Sequence, residues 1–183
     1  MSADPNHFND ESLGFSLRKP DSWEFMPPVW TPGPLAANGD DAPWAWIRPN
    51  QAFCVAQKLH DSPRHAYSTL QVTARALEIP SPEQAQALLK MQLGVLGKHY
   101  GQFEVRDATS DALIDGHKAI AIRGSFCLIT QIEGEQVPVW LLTRIHVIFA
   151  PGRAFSIGMT SSLDESYYLE SEFEHTIASI RIA

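Results

Sequence analysis

The segment 103–160 constrains this chain most. It reads as four strands in succession (103–112, 117–130, 137–150 and 153–160), separated by little more than Asp115-Gly116, Glu133-Gly134-Glu135 and Pro151-Gly152. Connections this short cannot hold a parallel crossover, which needs a dozen or more residues, so these strands must run antiparallel.

The elements around this block complete the pattern. Leu13, Phe15 and Leu17 alternate with Gly14, Ser16 and Arg18 as a half-buried strand over 13–19. Two further strands are expected at 52–59 and 68–77, on either side of a turn at 60–65. Ser81-Pro82-Glu83-Gln84 carries an N-cap serine, proline at the first helical position and a capping-box glutamine. Behind it Ala85, Leu88, Leu89, Gln92, Val95, Leu96 and His99 recur at helical spacing until Tyr100-Gly101 closes the helix. Ser162-Leu163-Asp164-Glu165 opens a second helix, with Tyr168 or Leu169, Phe173, Ile177 and Ile180 inward. The order is strand, long loop, two strands, helix, four strands, helix. That predicts an α+β domain: a single antiparallel sheet of about six or seven strands flanked by two main helices. At 183 residues one domain over 13–183 is expected, behind a flexible tail at 1–12.

An unusual insertion at 24–50 interrupts this order. Between Trp23 and Pro49 the chain places Trp23, Trp30, Trp44 and Trp46, four of its five tryptophans, and six of its thirteen prolines. Proline excludes helix interior and central strand, while tryptophan needs something to pack on. The segment is expected either to wrap its own domain or to present Trp30, Trp44 and Trp46 to a partner as interface anchors, wrapping being slightly favoured.

Charge removes several function classes. The net charge of −7 does not suit unaided contact with nucleic-acid phosphates or with an anionic membrane surface. At 44% hydrophobic and 19% charged the chain is too apolar for disorder, and no run is long enough for a membrane span. The N-terminus has neither a basic n-region nor an apolar h-region, so a cytoplasmic chain is expected.

Motifs for chemistry are weak. His60 and His65 share one loop with Asp61 but lack a second group of ligands at metal-binding spacing. Asp107, Asp111 and Asp115 lie in and beside a turn without the spacing of a calcium loop. Ser125 lacks the glycine-flanked nucleophile elbow. Cys54 and Cys127 each lie in an apolar run, where a buried inert thiol is the expected reading, and a disulfide between them is left open. No Gly-rich phosphate loop is present, and no metal or cofactor is expected.

Strand parity provides the one constellation of interest. Val139, Leu141, Ile145, Val147 and Phe149 share one side of their strand, and Trp140, Leu142, Arg144, His146 and Ile148 the other. In 117–130, Arg123, Ser125 and Cys127 oppose Ile120, Ile122, Phe126 and Leu128; in 68–77, Gln71, Thr73 and Arg75 oppose Leu70, Val72, Ala74 and Ala76. If all the oily faces meet in one core, then Arg75, Arg123, Arg144, His146 and Trp140 share the opposite face. Such a basic, aromatic patch could receive a carboxylate-bearing ligand or an acidic peptide. The competing and preferred reading is a solvated face whose arginines pair with nearby carboxylates.

Taken together, Phe15-Ser16-Leu17-Arg18-Lys19-Pro20-Asp21-Ser22-Trp23, the capped helix over 81–99, and Arg153-Ala154-Phe155-Ser156-Ile157 leading to 173–180 resemble the PsbP-like superfamily. This group includes a Ran-binding import factor, a photosystem II extrinsic subunit, DcrB-like bacterial proteins and the Eag chaperones of type VI secretion. The resemblance spans roughly 13–182 and departs at 24–50. It implies a sheet flanked by helices and a role in binding macromolecules without chemistry. The expectation is thus a non-catalytic, cytoplasmic module that binds an apolar or amphipathic segment of a protein partner, a chaperone or adaptor in bacterial secretion. A homodimer through a sheet face is one option. The alternative is a small-molecule-binding protein or enzyme, with a pocket between sheet and aromatic loop lined by Trp140, Arg144 and His146.

Overall fold

A computed structural model of the chain describes residues 4–26, 52–58, 67–100, 102–132 and 134–183. The stretch 27–50, with Trp30, Trp44 and Trp46, lies outside the described residues, as does the His60/His65 loop.

Seven strands form the main sheet in the order β3-β4-β5-β9-β8-β7-β6, and every pairing in it is antiparallel. They are β3 (Glu24–Phe25), β4 (Ala52–Lys58), β5 (Ser68–Ala76), β6 (Glu104–Ile114), β7 (His117–Ile132), β8 (Glu135–Ala150) and β9 (Arg153–Ser162). The turns behave as their residues require. Asp115 (φ 49°) and Gly116 (φ 78°) are consecutive positive-φ residues, the conformation of a tight hairpin whose twist matches its strands. Helix α1 (Pro82–His99) carries the full capping box: Ser81 Oγ accepts from the Gln84 N–H, and Gln84 Oε1 accepts from the Ser81 N–H. Helix α2 (Ser166–Ala178) follows a 3-10 turn at Leu163–Glu165.

A second, smaller sheet accompanies the expected single one. It has the order β1-β2-β10, with β1 (His7–Asp10), β2 (Phe15–Arg18) and β10 (Arg181–Ile182). The tail expected at 1–12 is therefore a paired strand over His7–Asp10, with Phe8 facing Arg18's neighbour Leu17. Its physical cause is Phe8, whose ring sits 6.1 Å from Phe25 and 5.8 Å from Phe53 and extends an aromatic cluster through Phe15 to Phe155. The insertion boundary also shifts: Glu24 and Phe25 pair with Gln57 and Ala56 in the main sheet.

Both faces of the main sheet are covered, but over different strands. Directly opposed residues share a face, so the register chains Leu70–Met159–Arg144–Arg123, Val72–Ile157–His146–Ala121 and Ala74–Phe155–Ile148–Ala119 all lie on one side. On that side α2 and the small sheet bury Leu70, Val72, Ala74, Phe155, Ile157 and Met159 with Phe15, Leu17, Trp23, Leu169 and Phe173. On the other side α1 lays Leu89 and Leu96 on Ile120, Ile122, Val147, Phe149 and Ala154. The oily residues thus change face between β5 and the β7–β8 pair, and β9, central between them, is buried along the α2 side and at Ala154 and Ser162 on the other. Two half-cores on opposite faces replace the one shared core that parity alone suggested.

Candidate functional site

That change of face decides which of the expected patch residues meet. Arg75 lies opposite Ala154, which lies opposite Phe149, so it belongs to the α1 side and is not part of the constellation. The premise that placed it there, one shared oily face, fails for β5. Arg123, Arg144, His146 and Trp140 do share a face, and α2 crosses part of it.

Arg123 and Arg144 are directly opposed on β7 and β8. Both donate to one carboxylate, Glu170 of α2: Arg123 Nη2 to Oε2 at 2.9 Å, and Arg144 Nη2 to Oε1. The Arg144 side chain is 12% exposed and that of Arg123 37%, so the Arg144 contact is desolvated and the Arg123 contact is half in water. Burial and the neighbouring Arg123 charge lower the Arg144 pKa, and Glu174 opposes them. A cavity of about 240 Å³ lies here, lined by Asp107, Ala121, Ile122, Arg123, Arg144, His146, Glu170 and Glu174. His146 is mostly buried in its wall. Desolvation, with the Arg144 charge beside it, depresses the imidazole to about 4, so it is neutral at pH 7. Its Nδ1 is buried without a hydrogen-bond partner among the described residues.

This arrangement fits a structural clamp better than a ligand site. The volume is below the roughly 300–1,000 Å³ of ordinary small-molecule pockets. Three carboxylates already face two guanidiniums, so a further anion gains little. The preferred expectation, arginines paired with nearby carboxylates, describes these two residues. Glu170 itself was not visible as a partner in the sequence. The usable signal was Glu170 and Glu174, one helical turn apart and flanking Leu169 and Phe173.

Trp140 stands elsewhere. It lies four pairs beyond Arg144 along β8 and opposite Cys127, outside the cavity. Strand β6 pairs with β7 only as far as Ser125, and β9 pairs with β8 only from Leu141. Residues 126–132 and 135–140 therefore continue as a two-stranded arm past the body of the sheet. Trp140 (45% exposed), Ile129 (64%) and Leu128 (44%) are large apolar side chains open to solvent on it. At its base Tyr100 stacks on Phe126 at 4.0 Å and Phe103 covers the same side. Gly124 is required there, since a Cβ would lie 2.4 Å from the Phe103 ring and 2.9 Å from the Glu104 carbonyl oxygen.

Other groups with chemical potential lie outside this cavity. Cys54 and Cys127 are free thiols, and burial pushes Cys54 up to about 12. Glu172 of α2 accepts from the Trp23 indole N–H at 2.7 Å and sits 3.5 Å from Lys58 Nζ, beside an open groove of about 770 Å³ between residues 18–22 and α2. An apolar groove of about 420 Å³ separates residues 77–80 from α1. Among the described residues no cluster of three or more His, Cys, Asp or Glu could hold a metal, and no helix is long and apolar enough to cross a membrane.

No family model matches the sequence, and no curated protein matches it. Solved structures do. LpqN of Mycobacterium tuberculosis, involved in cell envelope biogenesis, superposes with a TM-score of 0.54 at 17% identity over 92% of this chain and 83% of that one. The solution structure of cyanobacterial PsbP from Synechocystis gives 0.54 at 16% identity over 97% and 91%. A Pseudomonas aeruginosa protein of unknown function, described as a regulator, gives 0.51 at 17% identity over 68% and 78%. At these identities the likeness is one of fold: the chain has a PsbP-like α+β fold.

Proposed function

We propose that this protein is a non-catalytic module that captures an apolar or amphipathic segment of a protein partner, with the β7–β8 arm as its contact surface. One observation carries the reading: Leu128, Ile129 and Trp140 stand exposed on a stretch of sheet that neither β6 nor β9 flanks. Ile129 and Trp140 share one face of the arm and Leu128 stands on the other; large apolar groups exposed to solvent mark interaction surfaces, and tryptophan is among the side chains most enriched at their energetic centres. The absence of chemistry is part of the same proposal, supported by a neutral His146, a protonated Cys54 and two arginines held by Glu170. The concrete version is a chaperone or adaptor of bacterial secretion, on the DcrB-like or Eag-type branch of the PsbP-like fold, working in the cytoplasm.

Site-specific photocrosslinking in the native cell tests this. A photoreactive residue replacing Trp140 should give a discrete adduct with another polypeptide, mapping to an apolar stretch. The same residue at exposed Glu83 of α1 should not. No adduct at 140, or the same adducts at both positions, would contradict it.

A further inference from the structure

The arm has two open edges among the described residues, and they are not equivalent. On the β8 edge stands Pro138, opposite Ile129 of β7. Proline has no N–H to give a neighbour, so it sits in a sheet only with its nitrogen turned outward, and it spoils that edge for a further strand. Outward-turned backbone at Pro138 makes the Ile129–Pro138 pair the non-hydrogen-bonded kind. The N–H and C=O of Ile129, and by the period of two those of Cys127 and Gln131, then face the β7 edge. This edge continues the line that β6 occupies up to the Glu104–Ser125 pair. By contrast, β6 is itself an edge strand protected by two bulges and by Arg106, Asp107 and Asp111.

We infer that the β7 edge over 127–132 accepts an added antiparallel strand, supplied by an apolar segment of a partner protein flanked by lysine or arginine. The inference rests on the protein-binding reading above and names its mode and partner chemistry. Backbone pairing supplies the affinity, and the alternating side chains beside Ile129 on one face and Leu128 on the other supply selectivity. Charge sets the flanks. Residues 126–140 contain Glu133 and Glu135 and no Lys or Arg, and exposed Glu104 begins β6 at the base of the open edge. The same charges disfavour a second copy of this acidic chain, because two self-paired arms would bring their carboxylates together.

A synthetic peptide of alternating valine and threonine with lysines at both ends tests this, its binding to the full chain read by fluorescence anisotropy. The lysine-flanked peptide should bind. Its glutamate-flanked counterpart, and a version N-methylated on alternate amides, should each bind at least about tenfold more weakly. Ile129→Asp should abolish binding, and Glu135→Lys, which leaves Glu133 and Glu104 in place, should narrow the preference for lysine over glutamate flanks. Both replace exposed side chains, so unchanged melting temperatures verify the fold. Equal binding of the N-methylated peptide, or no binding of the lysine-flanked one, overturns strand addition, while an adduct at position 140 would still uphold the wider reading. A concentration-dependent dimer that Ile129→Asp dissolves overturns the basic partner in favour of a second copy.

Discussion

Removing the carboxylate that α2 lends to the sheet gives the sharpest test of the architecture. Glu170→Gln keeps the shape but leaves Arg123 and Arg144 face to face on adjacent strands. The two halves of the loss differ. Breaking a fully buried pair costs about 3–5 kcal/mol and an exposed one about 0–1. Arg144 is 12% exposed and near the first limit, whereas Arg123, at 37%, is near the second. With Glu170 itself partly in water, the sum is about 2–4 kcal/mol. For a domain of this size that lowers the melting temperature by about 5–15 °C. The charge origin is isolated by a double-mutant cycle with Arg144→Met, read by urea unfolding. In the methionine background Glu170→Gln should cost about 1 kcal/mol or less, a coupling of about 2 kcal/mol. A cost below about 0.5 kcal/mol in the wild-type background, or equal costs in both, would refute the clamp.

Three other perturbations follow from the same geometry. Trp23→Phe keeps a ring against Phe173 but strips Glu172 of the indole N–H, and a loss of about 1.5–3 kcal/mol should appear in thermal unfolding; a loss within error would mean that the bond is idle. Gly124→Ala forces a methyl into the Phe103 ring and the Glu104 carbonyl and should destabilise by about 1–3 kcal/mol, visible as altered near-UV signals from Tyr100 and Phe103. His146 has a folded-state pKa near 4, below the usual 6.5, so its contribution is full above pH 6.5. As pH falls from 6.5 towards 4, the unfolded chain binds a proton that the folded one refuses, and about 2–3 kcal/mol should be lost. His146→Gln should flatten that part of the stability–pH curve, and an NMR titration midpoint near 6.5 would refute the depressed value.

Much of the fold was legible because β7 and β8 state their own register. The Asp115-Gly116 turn and the short loop near Gly134 leave no freedom of direction, and Ser81-Pro82-Glu83-Gln84 announces α1 with every capping group used as expected. The placement of Arg75 was not legible, because parity tells which residues of one strand share a side but not which sides coincide between strands. That is set by pairing: Leu70 meets Met159, which meets Arg144, so the oily side of β5 continues as the charged side of β8. Strand β1 escaped notice since four residues with a single large apolar group, Phe8, have no detectable period. The same limit hid the exposed arm. Leu128 reads as a core strand residue in sequence and Trp140 as part of the opposite, mixed face, and only the early ends of β6 and β9 pairing show that both stand with Ile129 on an open arm.

The central claim is that the β7–β8 arm is where this protein meets another. Amide hydrogen exchange, measured with and without the partner segment identified by crosslinking at 140, tests it most directly. Exchange should slow across residues 127–132 on binding and stay unchanged along α1. Unchanged exchange in the arm, with protection appearing instead around residues 18–22 or on α1, would contradict it.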